Sequence, residues 1–259
     1  MKACTRFAMS ILSTALFCAS VAAQPEPVLS SEASQAAIRA AIESDMRSPE
    51  DKARDAERHP FEELTFFRLE KDMRVIEIMP FGGWFTKIIG PVVRDEGMLY
   101  TTQGDLGQYS DALEPTLALP GMDKVVKLDW NGVADGNRWM GSGTWDVEPV
   151  DLIVTFRNYH NFGYDDRMKV NKSAFDALKP GGLYGIVDHT RRHNEPDNRE
   201  NGRRVDPVLV IKEVQDSGFV FEDYAAMARS AEDELVFEVG NPAVSGKTDR
   251  FVMLFKKPE

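Results

Sequence analysis

From residue 73 onward, apolar blocks alternate with amphipathic ones. Short apolar runs at 74–79, 98–102, 124–128, 151–156 and 183–187 read as strands. The fourth, DLIVTF, is apolar enough for the centre of a parallel sheet. Residues 83–93 and 171–178 read as helices, the second stopped by Lys179-Pro180-Gly181-Gly182. Asp206-Pro207 supplies an N-cap and a first-turn proline for a further helix that ends at Gly218. Strands at 219–224 and 251–256 close the series. This alternation predicts an α/β fold, a mainly parallel sheet with helices on both faces. Ligands in such sheets bind at the carboxyl ends of the strands.

The stretch before residue 69 has helical periodicity only. Residues 33–45 are alanine-rich, Ser48-Pro49-Glu50-Asp51 is a helix start for a segment reaching about Arg58, and 60–67 places Phe61, Leu64 and Phe67 on one side. It reads as a helical N-terminal extension, residues 24–68, packed on a main domain at 69–259.

The first residues carry a different pattern. Lys2 and Arg6 precede a mostly apolar run at 7–19, and Val21-Ala22-Ala23 is a small-residue site before Gln24. That is a secretory signal peptide at 1–23, too short and too interrupted by Ser and Thr for a stable membrane span. Export to a periplasm or to the medium is the expectation. Cys4 and Cys18 both lie in this leader, so the mature chain has no disulfide, cysteine nucleophile or zinc–thiolate site. The formal net charge of −11 argues against sequence-independent nucleic-acid binding, which needs clustered Lys and Arg.

Residues 75–86, VIEIMPFGGWFT, run from the first strand through a glycine turn into a helix. Gly82 and Gly83 let the backbone approach a ligand, and Glu77 supplies an acceptor near the strand end. Met79 and Phe81 stand where nucleotide-binding loops usually carry glycine, and Pro80 removes a donor. A plain Gly-Gly turn fits the same residues equally well.

The order of motifs goes further. VIEIMPFGGWFT, KLDW (127–130), DLIVTFRNYH (151–160) and ALKPGGLYGIVDH (177–189) together resemble a class I S-adenosylmethionine-dependent methyltransferase. More narrowly, Pro80 to Gly83, Arg157 to His160, Val187 to His189 and Gly246 to Val252 resemble a group of exported predicted methyltransferases. The resemblance implies a Rossmann-like seven-stranded sheet with a reversed last strand. It also implies S-adenosylmethionine as cofactor and a small-molecule acceptor. Glu77 would meet the methionine end, with Pro80, Phe81, Gly82 and Gly83 wrapping it. Gln103 would face the ribose where an acid is usual, with Asp105 one turn on. Asp129 would take the adenine amino group beside Trp130, and Asn158 would hold cofactor or acceptor. The alternative is a non-catalytic ligand-binding protein on the same fold.

Histidine as a residue type titrates near neutrality, which makes His160, after the fourth strand, and His189, ending the fifth, the candidate bases, with Tyr159 a donor on the same rim. Asp188, His189 and His193 have the residue types of a metal site, but the loop between them carries Arg191 and Arg192, and no metal is expected. Arg203-Arg204 reads as solvated charge or as a contact for an anionic substrate.

Overall fold

The structure, a computed structural model, describes residues 1, 28–103, 107–128, 133–135, 138–140 and 145–259. Four helices open the described chain: α1 (Glu32–Glu43), α2 (Pro49–Lys52), α3 (Asp55–Arg58) and α4 (Pro60–Phe66). Then come β1 (Arg74–Ile78), α5 (Thr86–Val93), β2 (Met98–Thr102), α6 (Glu114–Leu117) and β3 (Val126–Leu128). A small ribbon, β4 (Val133–Asp135) and β5 (Arg138–Met140), precedes β6 (Val150–Phe156), α7 (Tyr164–Ala177) and β7 (Leu178–His189). The chain ends with α8 (Pro207–Asp216), β8 (Val220–Ala225) and β9 (Arg250–Lys256).

Seven strands form one sheet in the order β3-β2-β1-β6-β7-β9-β8. All neighbours from β3 to β7 are parallel, and β9 runs antiparallel to both β7 and β8. The last strand is therefore inserted in reverse, and the strand order turns at β1, beside β6. Alternation along the central strands divides the core. Val75, Leu152 and Val154 pack with α1, α4 and α5 on one face. Ile76, Ile78 and Ile153 pack with α7 and α8 on the other.

The N-terminal helices are short for local reasons. Ser48 and Asp51 form a reciprocal capping box at the start of α2, and the segment breaks at Arg54 instead of running unbroken to Arg58. His59 then takes a left-handed φ of 46°, and Pro60 opens α4. The extension is fastened to the sheet by Trp84, whose indole nitrogen donates to the Asp51 carbonyl at 3.1 Å. The guanidinium carbons of Arg47 and Arg58 lie 4.7 Å and 4.5 Å from its ring centroid, and Lys87 pairs with Asp51.

Helix α7 and strand β7 also differ from expectation. Helix α7 begins at Tyr164, well before residue 171, because its inward positions include Arg167 and Asn171, which hide the apolar period. The Lys179-Gly182 segment does more than stop a helix. It bulges between the Val150–Leu178 and Leu152–Leu183 pairs, so β7 begins at Leu178. Among the described residues no helix is long and apolar enough to cross a membrane.

Candidate active site

The turn after β1 sits where the strand order reverses, the place where open α/β sheets bind ligands. Met79, Phe81 and Gly83 have φ of 53°, 50° and 73°. Every second residue is thus left-handed. Met79 and Phe81 keep the backbone that glycine adopts easily, at a cost of about 1–2 kcal/mol each. The surroundings hold them there. Met79 N donates to Thr102 O at 2.7 Å and Gly83 N to Pro80 O at 2.8 Å. Phe81 N donates to Gln103 Oε1 at 3.0 Å. A side chain on Gly83 would come 2.7 Å from Thr116 Cγ2, so this glycine is required by packing as well as by its φ.

Above the turn lies a cleft of about 290 Å³. One wall is Glu77 and Met79 to Gly82, another is Trp84, Phe85 and Phe156 to Asn158, and the third is Asp51, Arg54 and Arg58 from the N-terminal helices. Gly82 is exposed on its floor. Glu77 is 2% exposed, and one oxygen accepts from Thr86 Oγ1 at 2.6 Å. Burial pushes its carboxyl up to about 7. Asn158 Nδ2 lies 3.0 Å from Met79 O and 3.3 Å from Ile78 O, bracing the turn from β6.

Five of the predicted ligand residues, Glu77, Pro80, Phe81, Gly82 and Asn158, therefore meet in one cleft, with Gly83 packed beneath. Gln103 adjoins them, but its amide is engaged with Phe81 and with the carbonyl of Tyr109 at 3.2 Å. Asp105, Asp129 and Trp130, like the leader with its two cysteines, lie outside the described residues.

His160 and His189 form a second group, outside the residues that line the cleft. Asp188 accepts from His160 N at 2.8 Å and from His189 N at 2.7 Å, and its Oδ1 lies 2.6 Å from His160 Nδ1. The imidazole rings are 5.8 Å apart. His189 is buried, its Nδ1 has no partner, and burial together with His160 and Arg250 drives its pKa well below the usual histidine value. The anchoring role of Asp188 was not legible in the sequence, where it read only as a metal-type residue.

Tyr159 requires correction: it is not a donor on the rim. Its side chain is fully buried, its hydroxyl donates to Glu213 at 3.1 Å and accepts from Asn171 at 2.8 Å, and Arg167 completes the network on Glu213. Burial raises its pKa well above the ordinary value, which removes it from acid–base work. His193 turns away from Asp188 to Asp206, at 2.9 Å. Among the described residues no group of three or more His, Cys, Asp or Glu could hold a metal. Arg204 is neither solvated nor available to substrate. It is buried against Asp233, tying down the segment that leads into β9.

No family model matches the chain, and no curated protein matches it. Solved structures do. A SAM-dependent methyltransferase from Aquifex aeolicus superposes with a TM-score of 0.55 at 15% identity, over 86% of this chain and 97% of that one. The pyocyanin biosynthetic protein PhzM gives 0.53 at 13% identity, over 80% of this chain and 56% of the other. The [4+2]-cyclase SpnF gives 0.52 at 14% identity, over 87% and 93%. With its strand order and reversed β9, the chain has the Rossmann-like fold of class I methyltransferases. At such identities the likeness is one of fold, and the cyclase among these neighbours carries a different chemistry on it.

Proposed function

We propose that the protein binds S-adenosylmethionine in the cleft above the β1 turn and transfers its methyl group to a small-molecule acceptor. The observation that carries this reading is the cradle itself. A left-handed turn lies at the sheet's switch point, with a buried carboxyl on its strand and an exposed glycine on its floor. Glu77 fits the cofactor's ammonium group: it lines the cleft, and among the described residues Thr86 alone hydrogen-bonds to its carboxyl. Pro80 to Gly82 would lie along the methionine end and Asn158 beside it. Gln103 would hold the turn next to the ribose, and Asp129 and Trp130 would take the adenine. When bound, the sulfonium supplies an electrophilic methyl group for in-line displacement.

The chain's own contribution is positioning, exclusion of water and proton removal. Asp188 fixes the His160 ring through Nδ1, which leaves Nε2 to accept a proton from the acceptor. His189, held neutral behind it, serves to position the pair. Isothermal titration of the protein with S-adenosylhomocysteine tests the reading, and no heat at millimolar ligand would remove it.

The leader supports membership of the exported group, with a periplasmic location in a Gram-negative host and secretion otherwise. Mass spectrometry of exported protein should find an N-terminus near Gln24, and a retained Met1 would reverse this assignment.

A further inference from the structure

Behind the cofactor cradle the cleft turns cationic. Arg54 and Arg58 reach it from the N-terminal helices, and Arg157, at the left-handed φ of 60° that follows β6, reaches it from the sheet. Arg250 stands directly behind Arg58 and Arg157. Compensation for these charges is sparse. Glu57 pairs with Arg54 at 2.8 Å and lies 3.6 Å from Arg58 Nε. Among the described residues the Arg157 guanidinium has no hydrogen bond or ion pair, and Arg58 Nε is buried without a hydrogen-bond partner. Glu63 is buried among these side chains, where Arg250, Arg157 and Arg58 favour its carboxylate against burial, yet among the described residues no arginine comes into ion-pair contact with it. Asp51 is already paired with Lys87. Burial, with Arg157 and Arg54 nearby, pushes Arg58 down to about 8, and burial, with Arg250 nearby, pushes Arg157 down to about 10.

S-adenosylmethionine does not relieve this wall. Its carboxylate is cancelled by its own ammonium group, and the sulfonium leaves it cationic. The cofactor brings no net negative charge to the wall, whereas an anionic second substrate would. We infer that Arg58 and Arg157 form the binding site for the carboxylate or phosphate of an anionic acceptor. Guanidinium groups suit both oxyanions, through charge-assisted and often paired hydrogen bonds. The inference rests on the methyl-transfer reading for the identity of the acceptor, not for the anion site itself.

Titration of the purified protein with inorganic phosphate and separately with acetate, each with and without saturating S-adenosylhomocysteine, tests it. At least one anion should bind alongside S-adenosylhomocysteine. Its affinity should fall about tenfold or more in Arg157→Gln and Arg58→Gln. It should fall less in Arg58→Lys than in Arg58→Gln and be unchanged in Arg199→Gln, an exposed control. S-adenosylhomocysteine affinity should change far less than anion affinity in Arg157→Gln, even though Arg157 lines the same cleft. Because Arg58 packs on Trp84, thermal melts would establish that its variants are folded, and Arg157→Gln, which breaks no hydrogen bond, decides alone if they are not. Absence of anion binding at tens of millimolar, or equal binding by Arg157→Gln, would overturn the site. Competition between the anion and S-adenosylhomocysteine would overturn it too, since the arginines would then serve the cofactor carboxylate. Arginine-dependent anion binding in a protein that ignores S-adenosylhomocysteine would uphold the site and remove only the methyl-transfer reading.

Discussion

Gln103 grips Phe81 through both halves of its amide. Oε1 accepts from Phe81 N at 3.0 Å, and Nε2 lies 3.4 Å from Phe81 O. A residue expected to face a ribose thus fixes the backbone of the turn that would carry the cofactor. Gln103→Ala should destabilise the protein by about 1–3 kcal/mol, because the Phe81 N–H loses its acceptor. Urea denaturation measures this, and an unchanged midpoint would show that the grip is incidental.

The left-handed turn makes a sharper claim. Phe81→Gly loses ring contact with Tyr109 but releases backbone strain, whereas Phe81→Val brings a β-branched side chain to the same φ of 50°. The glycine variant should be the more stable of the two by about 1–2 kcal/mol. Equal stability would mean that the turn relaxes freely.

Glu77 should leave a signature in the dependence of stability on pH. The folded protein keeps this carboxyl protonated up to about 7, while the unfolded chain releases the proton near 4.5. Its contribution is fully present below the lower value and is lost as pH rises through the upper one. At about 1.4 kcal/mol per pH unit, Glu77→Gln should gain about 3 kcal/mol relative to the natural protein between about pH 4.5 and pH 8. Paired denaturation curves across that range check it. S-adenosylhomocysteine should also bind more tightly as Glu77 ionises, and this gain should vanish in the variant.

His189 carries the opposite sign. It stays neutral in the fold, while the unfolded chain takes up a proton near 6.5, so its contribution is lost as pH falls below that value. Its imidazole resonances should not move between about pH 5 and pH 8, and His189→Gln should flatten the acid limb of the stability curve. A ring that titrates near 6.5 would refute the buried, neutral assignment.

Trp84→Ala should cost about 3–5 kcal/mol, since it removes a buried indole, its bond to Asp51 and the platform for Arg47 and Arg58. Hydrogen exchange should show α2 and α3 opening first.

Much of the sheet was legible because its central strands are buried on both faces. Runs such as DLIVTF admit little else, and Asp206-Pro207 with Gly218 marked α8 at both ends. The cradle was partly legible for a related reason: Met79 and Phe81 stood out as substitutes for glycine, and both proved to adopt its backbone. What stayed hidden lies in polar residues that act across long separations. Tyr159 looked like a rim donor because nothing local reveals Glu213 or Asn171 waiting in the core. Arg157 and Arg250 were invisible as neighbours of Arg58 because only the assembled fold brings them together. The anchoring role of Asp188 was missed for the same cause, its partner His160 lying across the β6–β7 pair.

Because Trp84 rivets α2 and α3 to the entrance of α5, the opening helices form one bank of the cleft. A chain trimmed to begin at residue 69 would forfeit Arg54 and Arg58 and would strip Ile38, Leu64 and Phe67 from the core on that face of the sheet. Exchange of those short helices would then redirect which molecules enter, while the machinery around the β1 turn stayed untouched.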